Sequence, residues 1–206
     1  MSATDAPPHL LDALLPHADA VRVEQRVIDG KPDAVYAAVR EADFMRVGEQ
    51  PLVRALFMLR ELGERVVSAV RRRPLATPAP IATMRLSDLG ADGEWVILGE
   101  RPPQQIAFGV VGRFWAGETV WETIAAGQFA SFDEPGFARI GASFTVTPYG
   151  ERRTLVTYEC RTQATDPQSR RAFLRYWRPL SPFIGMVLRT QLKVVARTAA
   201  ERAGAR

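Results

Sequence analysis

The clearest pattern in the chain is a run of apolar residues spaced three and four positions apart near its C-terminal end. This spacing gathers side chains on one side of a helix, and it predicts a helix from about 165 to 203. Asp166 suits the N-cap and Pro167 the first helical position, where no amide hydrogen is needed. Pro179 and Pro182 predict a kink or short break between them. The stripe consists of Phe173, Tyr176, Trp177, Leu180, Ile184, Val187, Leu188, Leu192 and Val195.

The middle of the chain instead follows the period of two that is typical of strands, with many β-branched and aromatic residues between glycine and proline turns. No helix-length pattern separates these segments, so we expect hairpins and an antiparallel sheet. In the last two strands Phe144 and Tyr158 lie on an apolar face, and the opposite face is polar. We expect the polar face to be wet and the helix to cover the other. The predicted strands are 21–28, 81–86, 94–99, 104–115, 128–132, 137–147 and 154–162.

Two short helices are predicted between the first strand and the rest of the sheet. One begins at Pro32 and ends near Ala42, and the other spans 51–70, where the triplet 71–73 and the proline after it end it. Residues 1–19 form an N-terminal extension whose leucines predict a helical turn or two packed at the edge.

Composition limits the class of protein. A chain of 206 residues with 47% hydrophobic content is the size of one domain, so we expect a single domain over 1–206. Cys160 is the single cysteine and there is no asparagine, which excludes an intrachain disulfide and N-glycosylation. No apolar stretch is long enough for a membrane span. These features predict a soluble, cytoplasmic protein.

Charge is unevenly distributed along the chain. Residues 1–50 hold 5 basic and 9 acidic side chains, whereas residues 151–206 hold 12 basic and 4 acidic ones. The basic helix could mark an anionic partner. Since 25 of the 27 cations are arginine, a coding bias is the simpler explanation, and a solvated helix face is favoured over nucleic-acid binding.

The order of elements, a strand, two helices, a run of strands and one long helix, resembles the START-like (SRPBCC) superfamily. That superfamily has the α+β helix-grip fold and includes polyketide cyclases and lipid-transfer domains. The chain is most similar to a bacterial branch of unknown function. The segments that carry the resemblance are 10–16, 32–38, 51–56, Val111-Gly112-Arg113-Phe114-Trp115, and 164–167 leading into Arg175-Tyr176-Trp177.

The resemblance implies a mainly apolar cavity between the sheet and the last helix, used in that superfamily for lipids, sterols, polyketides or plant hormones. The sequence itself also supports such a cavity, because aromatic side chains from several predicted strands and from the helix can line one volume. A packed core is the alternative for each of them. The candidate ligand-binding residues are Phe108, Val110, Phe114, Phe144, Tyr158, Phe173, Trp177 and Ile184.

Catalytic motifs are not found in the sequence. There is no phosphate-binding loop, dinucleotide fingerprint, zinc-protease helix or nucleophile elbow. Two histidines near the N-terminus and an isolated Cys160 cannot build a typical metal site, so no metal and no cofactor are expected. The groups left for acid-base chemistry are Glu159, Arg113, Tyr158, Glu118, Glu122, Asp133 and Glu134.

Tyr158 and Arg113 are the catalytic candidates. Arg113 could clamp a carboxylate or enolate if it points inward, but the alternation that places Phe114 inside puts Arg113 outside, unless a bulge near Gly112 reverses it. Tyr158 is the best inward polar group, because it can form hydrogen bonds without a buried charge.

Three functions remain open. The first is binding or carriage of a hydrophobic small molecule. The second is a polyketide cyclase or dehydratase type of enzyme, with Tyr158 or Arg113 polarising a carbonyl. The third is an interaction module that uses the basic face of the C-terminal helix.

Overall fold

A computed structural model of the protein describes residues 8–45, 83–90, 92–115 and 119–205. Three α-helices and eight strands lie in these ranges. Short 3₁₀ turns occur at Leu86–Asp88 and Ala126–Gln128. In chain order the elements are α1 (Leu10–Leu14), β1 (Ala20–Asp29), α2 (Pro32–Glu41), β2 (Asp92–Gly93), β3 (Trp95–Arg101), β4 (Gln105–Arg113), β5 (Val120–Glu122), β6 (Ile124–Ala125), β7 (Ala138–Pro148), β8 (Arg153–Ala164) and α3 (Pro167–Gly204).

The main sheet is antiparallel and has the strand order β1-β8-β7-β4-β3, with the short β5 paired to β4. β2 and β6 form a separate two-stranded sheet. The long α3 packs on one face of the main sheet, which we call the inner face, and makes its most extensive contacts with β1 and α2. This arrangement is the α+β helix-grip fold, and it confirms the predicted fold class.

Asp166 fixes the start of α3. Its Oδ1 atom accepts hydrogen bonds from the amides of Gln168 at 2.8 Å and Ser169 at 2.9 Å, as an N-cap carboxylate does. Its Oδ2 atom accepts from the Ser169 hydroxyl and from the amide of Gly136, in the loop before β7. These bonds hold the pKa of Asp166 well below its usual range, because they favour the charged carboxylate.

The predicted break in this helix does not occur. α3 is continuous from Pro167 to Gly204 and carries Pro179 and Pro182 in its interior. Both prolines are exposed, on the side of α3 that faces away from the sheet. The loss of two amide donors there is tolerated because water can reach the carbonyl groups that they leave unpaired.

The inner core lies between the sheet, α2 and α3. Phe144 and Val156 from the sheet, Val39 from α2, and Leu192 and Val195 from α3 are at most 1% exposed. The prediction that the helix covers the apolar face of the last two strands is therefore confirmed.

The opposite, outer face of the sheet is not wet throughout, and here the prediction was wrong. Leu15, Val96, Val111, Phe129 and Phe137 form a second core on this face, with α1 and the segment between β5 and β7 as its cover. Almost all of β4 is consequently buried on both sides. We predicted that α1 packs at the edge of the fold, but it packs on the outer face of the sheet.

Strand β1 turns its charged side chains, and not its valines, towards α3. Arg22 and Glu24 pair with Cys160 and Tyr158 across β8 and therefore lie on the inner face, beneath α3. Val21, Val23 and Val27 are 50%, 43% and 40% exposed on the outer face. Alternation identifies a two-sided strand, but it does not say which side the helix covers.

Two predicted strands are wrong in the described part of the chain. Residues 128–132 form the end of a 3₁₀ turn and further turns, with Phe129 as an anchor of the outer core. In 81–86, Met84 and Arg85 are not in a strand and Leu86 begins a 3₁₀ turn. The predicted helix at 51–70, the basic triplet 71–73, and Glu118 lie outside the described residues.

Candidate functional site

Four aromatic residues of the inner face form a closed stack beneath α3. The rings of Phe144 and Tyr158 are 4.1 Å apart at 12°, and Phe108 and Phe44 stack on Phe144 at 6.2 Å and 5.4 Å. All four side chains are at most 6% exposed. Val110, on the same strand as Phe108, is fully buried. This part of the interior is packed by the protein's own side chains.

A second aromatic group lies under the N-terminal half of α3 and keeps contact with solvent. We call it the aromatic cleft. Phe114 follows β4 and touches Phe173 and Tyr176 of α3, with ring centres 5.9 Å and 5.8 Å apart. Phe173 is fully buried, and the other five members are partly exposed. The cleft consists of Phe114, Trp115, Trp121, Phe173, Tyr176 and Trp177.

Trp121 occupies its place because β4 has a glycine opposite it. Gly112 pairs with Trp121 across β5, and a Cβ atom at Gly112 would collide with the indole ring. A glycine within a strand permits such a close approach. Trp121 also touches Trp95, which in turn touches Phe108, so ring contacts run without interruption from the closed stack to the aromatic cleft.

Tyr158 is the polar group of the closed stack. Its side chain is buried, and burial raises the pKa of its hydroxyl well above the usual range, so it stays protonated. No hydrogen bond of this hydroxyl is present among the described residues, and the oxygen is not fully closed off from solvent. It can therefore donate to an acceptor that enters the interior.

A polar row crosses the inner face beside Tyr158, and sequence analysis missed it. Glu24 accepts hydrogen bonds from Arg22 at 2.8 Å and from Arg189 of α3 at 2.9 Å. Cys160 lies opposite Arg22, and burial, together with the nearby Glu159, raises the pKa of its thiol to about 12. The thiol is therefore neutral and unreactive at physiological pH. A glycine in α3 was the available signal, because a Cβ atom at Gly185 would collide with the Arg22 guanidinium.

Arg113 lies on the other face of the sheet. Its guanidinium carbon is 5.9 Å from the ring centre of Phe137, and its pairing partner Val120 packs against the outer core. The alternation in β4 is regular through Gly112, so no bulge turns Arg113 inward. Arg113 is thus separated by the sheet from Tyr158 and the closed stack.

The remaining acid-base candidates do not meet in one place. Glu159 is on the outer face, bonded to Arg161 at 2.6 Å and 3.6 Å from His9. Asp133 and Glu134 are exposed in the segment before β7, and Glu122 pairs with Val111 of the outer face. Ile184 is partly buried against the inner core. The structure therefore divides the aromatic candidates between the closed stack, which contains Tyr158, and the aromatic cleft, and it leaves the charged candidates apart.

No group of three or more histidine, cysteine, aspartate or glutamate side chains is placed to hold a metal ion in the ranges that the structure covers. Over those same ranges, no helix is apolar over the length that crossing a membrane requires.

A charged cleft opens at the far end of the molecule, where the turn after β1 meets the turn between β7 and β8 and the end of α3. Its cavity volume is about 810 Å³, and its walls include Lys31, Glu151, Arg152 and Arg153. Charged walls of both signs do not suit an apolar ligand. The aromatic cleft lies at the opposite end of α3 and is formed by rings instead of charged side chains.

Comparison with solved structures finds proteins of similar extent. A conserved protein from Geobacillus kaustophilus is 11% identical with a TM-score of 0.42, over 88% of this chain and 96% of that one. Protein MLL2253 from Mesorhizobium loti is 12% identical with a TM-score of 0.40, over 88% and 98%. The Zhui aromatase/cyclase from Streptomyces sp. R1128 is 9% identical with a TM-score of 0.34, over 89% and 95%.

No protein-family model matches the chain, and no curated protein matches it. At the identities and TM-scores above, none of the solved structures identifies a ligand or a reaction. We therefore base the function on this chain's own residues.

Proposed function

We propose that the protein binds or carries a hydrophobic small molecule, of the lipid or polyketide kind, between the sheet and α3, and that the ligand enters at the aromatic cleft. One observation carries this proposal: six aromatic side chains from the segment after β4, from β5 and from α3 meet in one place, and five of them stay partly exposed. Aromatic surface that could be buried but remains open is typical of a ligand site.

We place the ligand entrance at the N-terminal half of α3 because the partly exposed rings lie there. The closed stack around Phe144 has no exposed ring, so a ligand that reaches it must displace packed side chains. Beneath the N-terminal half of α3, in contrast, Trp115 and Trp177 each contact the buried Phe173 and keep an open side. A flat apolar ring can stack there without a change in the core, and a longer ligand reaches Tyr158 by displacing part of the closed stack.

Tyr158 would supply the polar contact. Its protonated hydroxyl is a donor that can bond to a carbonyl or phenol oxygen of a ligand. A ligand with an apolar body and one oxygen near its inner end would satisfy both the aromatic cleft and Tyr158. This combination favours a lipid or polyketide over a pure hydrocarbon.

Tryptophan fluorescence tests the proposal directly, because Trp115, Trp121 and Trp177 line the aromatic cleft. We expect a flat apolar fluorophore such as aminoanthracene to quench them on titration. Trp177→Ala should weaken binding at least about tenfold, since it removes one ring from the stack. The matched control is Tyr149→Ala, which removes an exposed aromatic ring from the turn between β7 and β8. Equal affinity in both variants would contradict the proposal.

Native mass spectrometry of the protein purified from its own host provides a second test. We expect an apolar molecule to remain bound through purification, and its amount to fall in Trp177→Ala. A spectrum with bare protein alone, together with no binding of the fluorophore, would leave the aromatic cleft as packing only.

The free hydroxyl of Tyr158 also favours a second function, an enzyme of the cyclase or dehydratase type. A neutral donor held in an apolar interior can polarise a carbonyl as charge develops on its oxygen. Tyr158→Phe keeps the ring stack and removes this donor, so turnover of a polyketide substrate should fall by about two orders of magnitude with binding retained. Arg113→Ala is the control, because Arg113 lies across the sheet. Full turnover in Tyr158→Phe would remove this alternative.

A further inference from the structure

The surface of α3 that faces away from the sheet carries two groups of cations, which together we call the basic stripe. Arg171, Arg175 and Arg178 stand near its N-terminal end, and Arg189, Lys193 and Arg197 stand near the other end. All six are exposed. At 3.6 residues per turn they fall within an arc of about 100° and extend over roughly 39 Å of helix.

Acids balance little of the charge of the basic stripe. Glu201 is the only acidic residue between Pro167 and Gly204, against eight basic ones. Within the described residues Arg189 bonds Glu24, and the other five members of the stripe have no ion-pair partner. The cations that hold α3 to the body of the protein, Arg170 with Asp19 and Arg202 with Glu41, lie off the stripe.

This arrangement costs stability. Arg171 and Arg175 are four residues apart, as are Arg189 and Lys193, and Lys193 and Arg197. Like charges at this spacing repel, whereas a merely solvated helix face alternates acids and bases and gains from their attraction. A negatively charged partner would reduce the repulsion between these cations, so this helix face is suited to such a partner.

Exposed apolar groups interrupt the basic stripe at its centre. Pro179, Pro182 and Phe183 lie between the two groups of cations, all are exposed, and Phe183 is 39% exposed. These two prolines and this phenylalanine are in contact with water, and cations lie on both sides of them along α3. Such a face resembles that of a helix which lies in the plane of a membrane surface.

We propose that the basic stripe docks this protein on an anionic lipid bilayer, with Phe183 and the two prolines entering the headgroup region and the five cations without an ion-pair partner over lipid phosphates and carboxylates. A nucleic acid would also attract the cations, but it offers no apolar layer for the residues at the centre. This inference rests on the outer surface of α3 and is independent of any ligand in the interior.

Vesicle co-sedimentation tests the proposal. We expect the protein to bind vesicles of phosphatidylcholine with added phosphatidylserine, not to bind phosphatidylcholine alone, and to be released by salt. Replacing Arg171, Arg175 and Arg178 together by glutamine should weaken binding roughly a hundredfold, because each cation near an anionic surface contributes about fivefold. Phe183→Ser should weaken binding with the salt dependence unchanged, because it removes apolar contact only.

The matched control replaces Arg26, Arg85 and Arg152 by glutamine, three exposed cations outside the basic stripe, with the same loss of net charge. The control should bind vesicles nearly as well as the unmodified protein. Equal loss in both triple variants would overturn the proposal, because net charge alone would then explain binding. Failure to bind anionic vesicles, with retention on DNA in the same buffer, would overturn it in favour of a nucleic acid.

Discussion

Gly109 and Gly141 face each other across β4 and β7 on the outer face, and they allow the outer core to be tested by adding one methyl group at a time. A Cβ atom at Gly109 would lie 2.8 Å from the carbonyl oxygen of Ile140 and 2.8 Å from the ring of Phe129. A Cβ atom at Gly141 would lie 2.7 Å from Leu15, at the end of the segment that covers this face.

The two substitutions to alanine should differ in cost. Overpacking of a core costs about 1–3 kcal/mol, and the reduced freedom of the unfolded chain returns about 0.4–1 kcal/mol. At Gly109 the neighbours are a backbone oxygen and a wedged ring, so we expect a net loss of about 2 kcal/mol. At Gly141 the neighbour is a leucine side chain that can rotate, so we expect roughly 1 kcal/mol or less.

Urea denaturation, followed by tryptophan fluorescence and circular dichroism, measures these differences as free energies of unfolding. Gly127→Ala is the control, because its Cβ atom would meet nothing within 4 Å and the substitution should be neutral or slightly stabilising. If Gly109→Ala unfolds within about 0.5 kcal/mol of the unmodified protein, the outer face is not packed as described.

Three further predictions concern the N-cap, the outer face and the closed stack. Asp166→Asn should lower the melting temperature at neutral pH, and the difference should shrink as pH falls below 3.8, because the depressed pKa of Asp166 contributes stability above that value and loses it below. Burial lowers the pKa of His9 below 6.5, so the unfolded chain takes up its proton first and stability should fall as the pH drops below 6.5; His9→Asn should abolish this dependence. Phe144→Ala should cost roughly 3–5 kcal/mol and Phe183→Ala almost nothing, as chemical denaturation of the two variants would measure.

The sequence predicted those elements that depend only on residues close together in the chain. Asp166 and Pro167 define the start of α3 because an N-cap needs only its own first turn. β7 and β8 follow from their alternation, since both pack the same face against the helix. Phe129 shows the limit: its segment is rich in apolar residues, yet it turns back over the outer face to fill the space above Gly109. That space exists only after the sheet has formed.

The candidate site could be predicted in kind but not in position. Aromatic residues at helical and strand spacing indicated one apolar interior, and their ring contacts do join Phe108 to Phe173. Which of them stay open depends on how far the sheet extends beneath each part of α3. Trp121 belongs to a strand of three residues, too short for a periodic signal, and its partner Gly112 was the local indication of a close approach.

Arg22 and Glu24 show why a strand's alternation can mislead. Valines on one side and charges on the other suggest that the valines are buried, because burying a single charge costs several kcal/mol. Here Glu24 accepts hydrogen bonds from both Arg22 and Arg189. The charge on Glu24 and the charge on Arg22 therefore each have an opposite charge beside them beneath α3. Gly185 gives the Arg22 guanidinium room under the helix. A glycine at the sheet-facing side of an amphipathic helix is therefore as informative as the apolar stripe around it: it indicates that something larger than a methyl group must fit beneath.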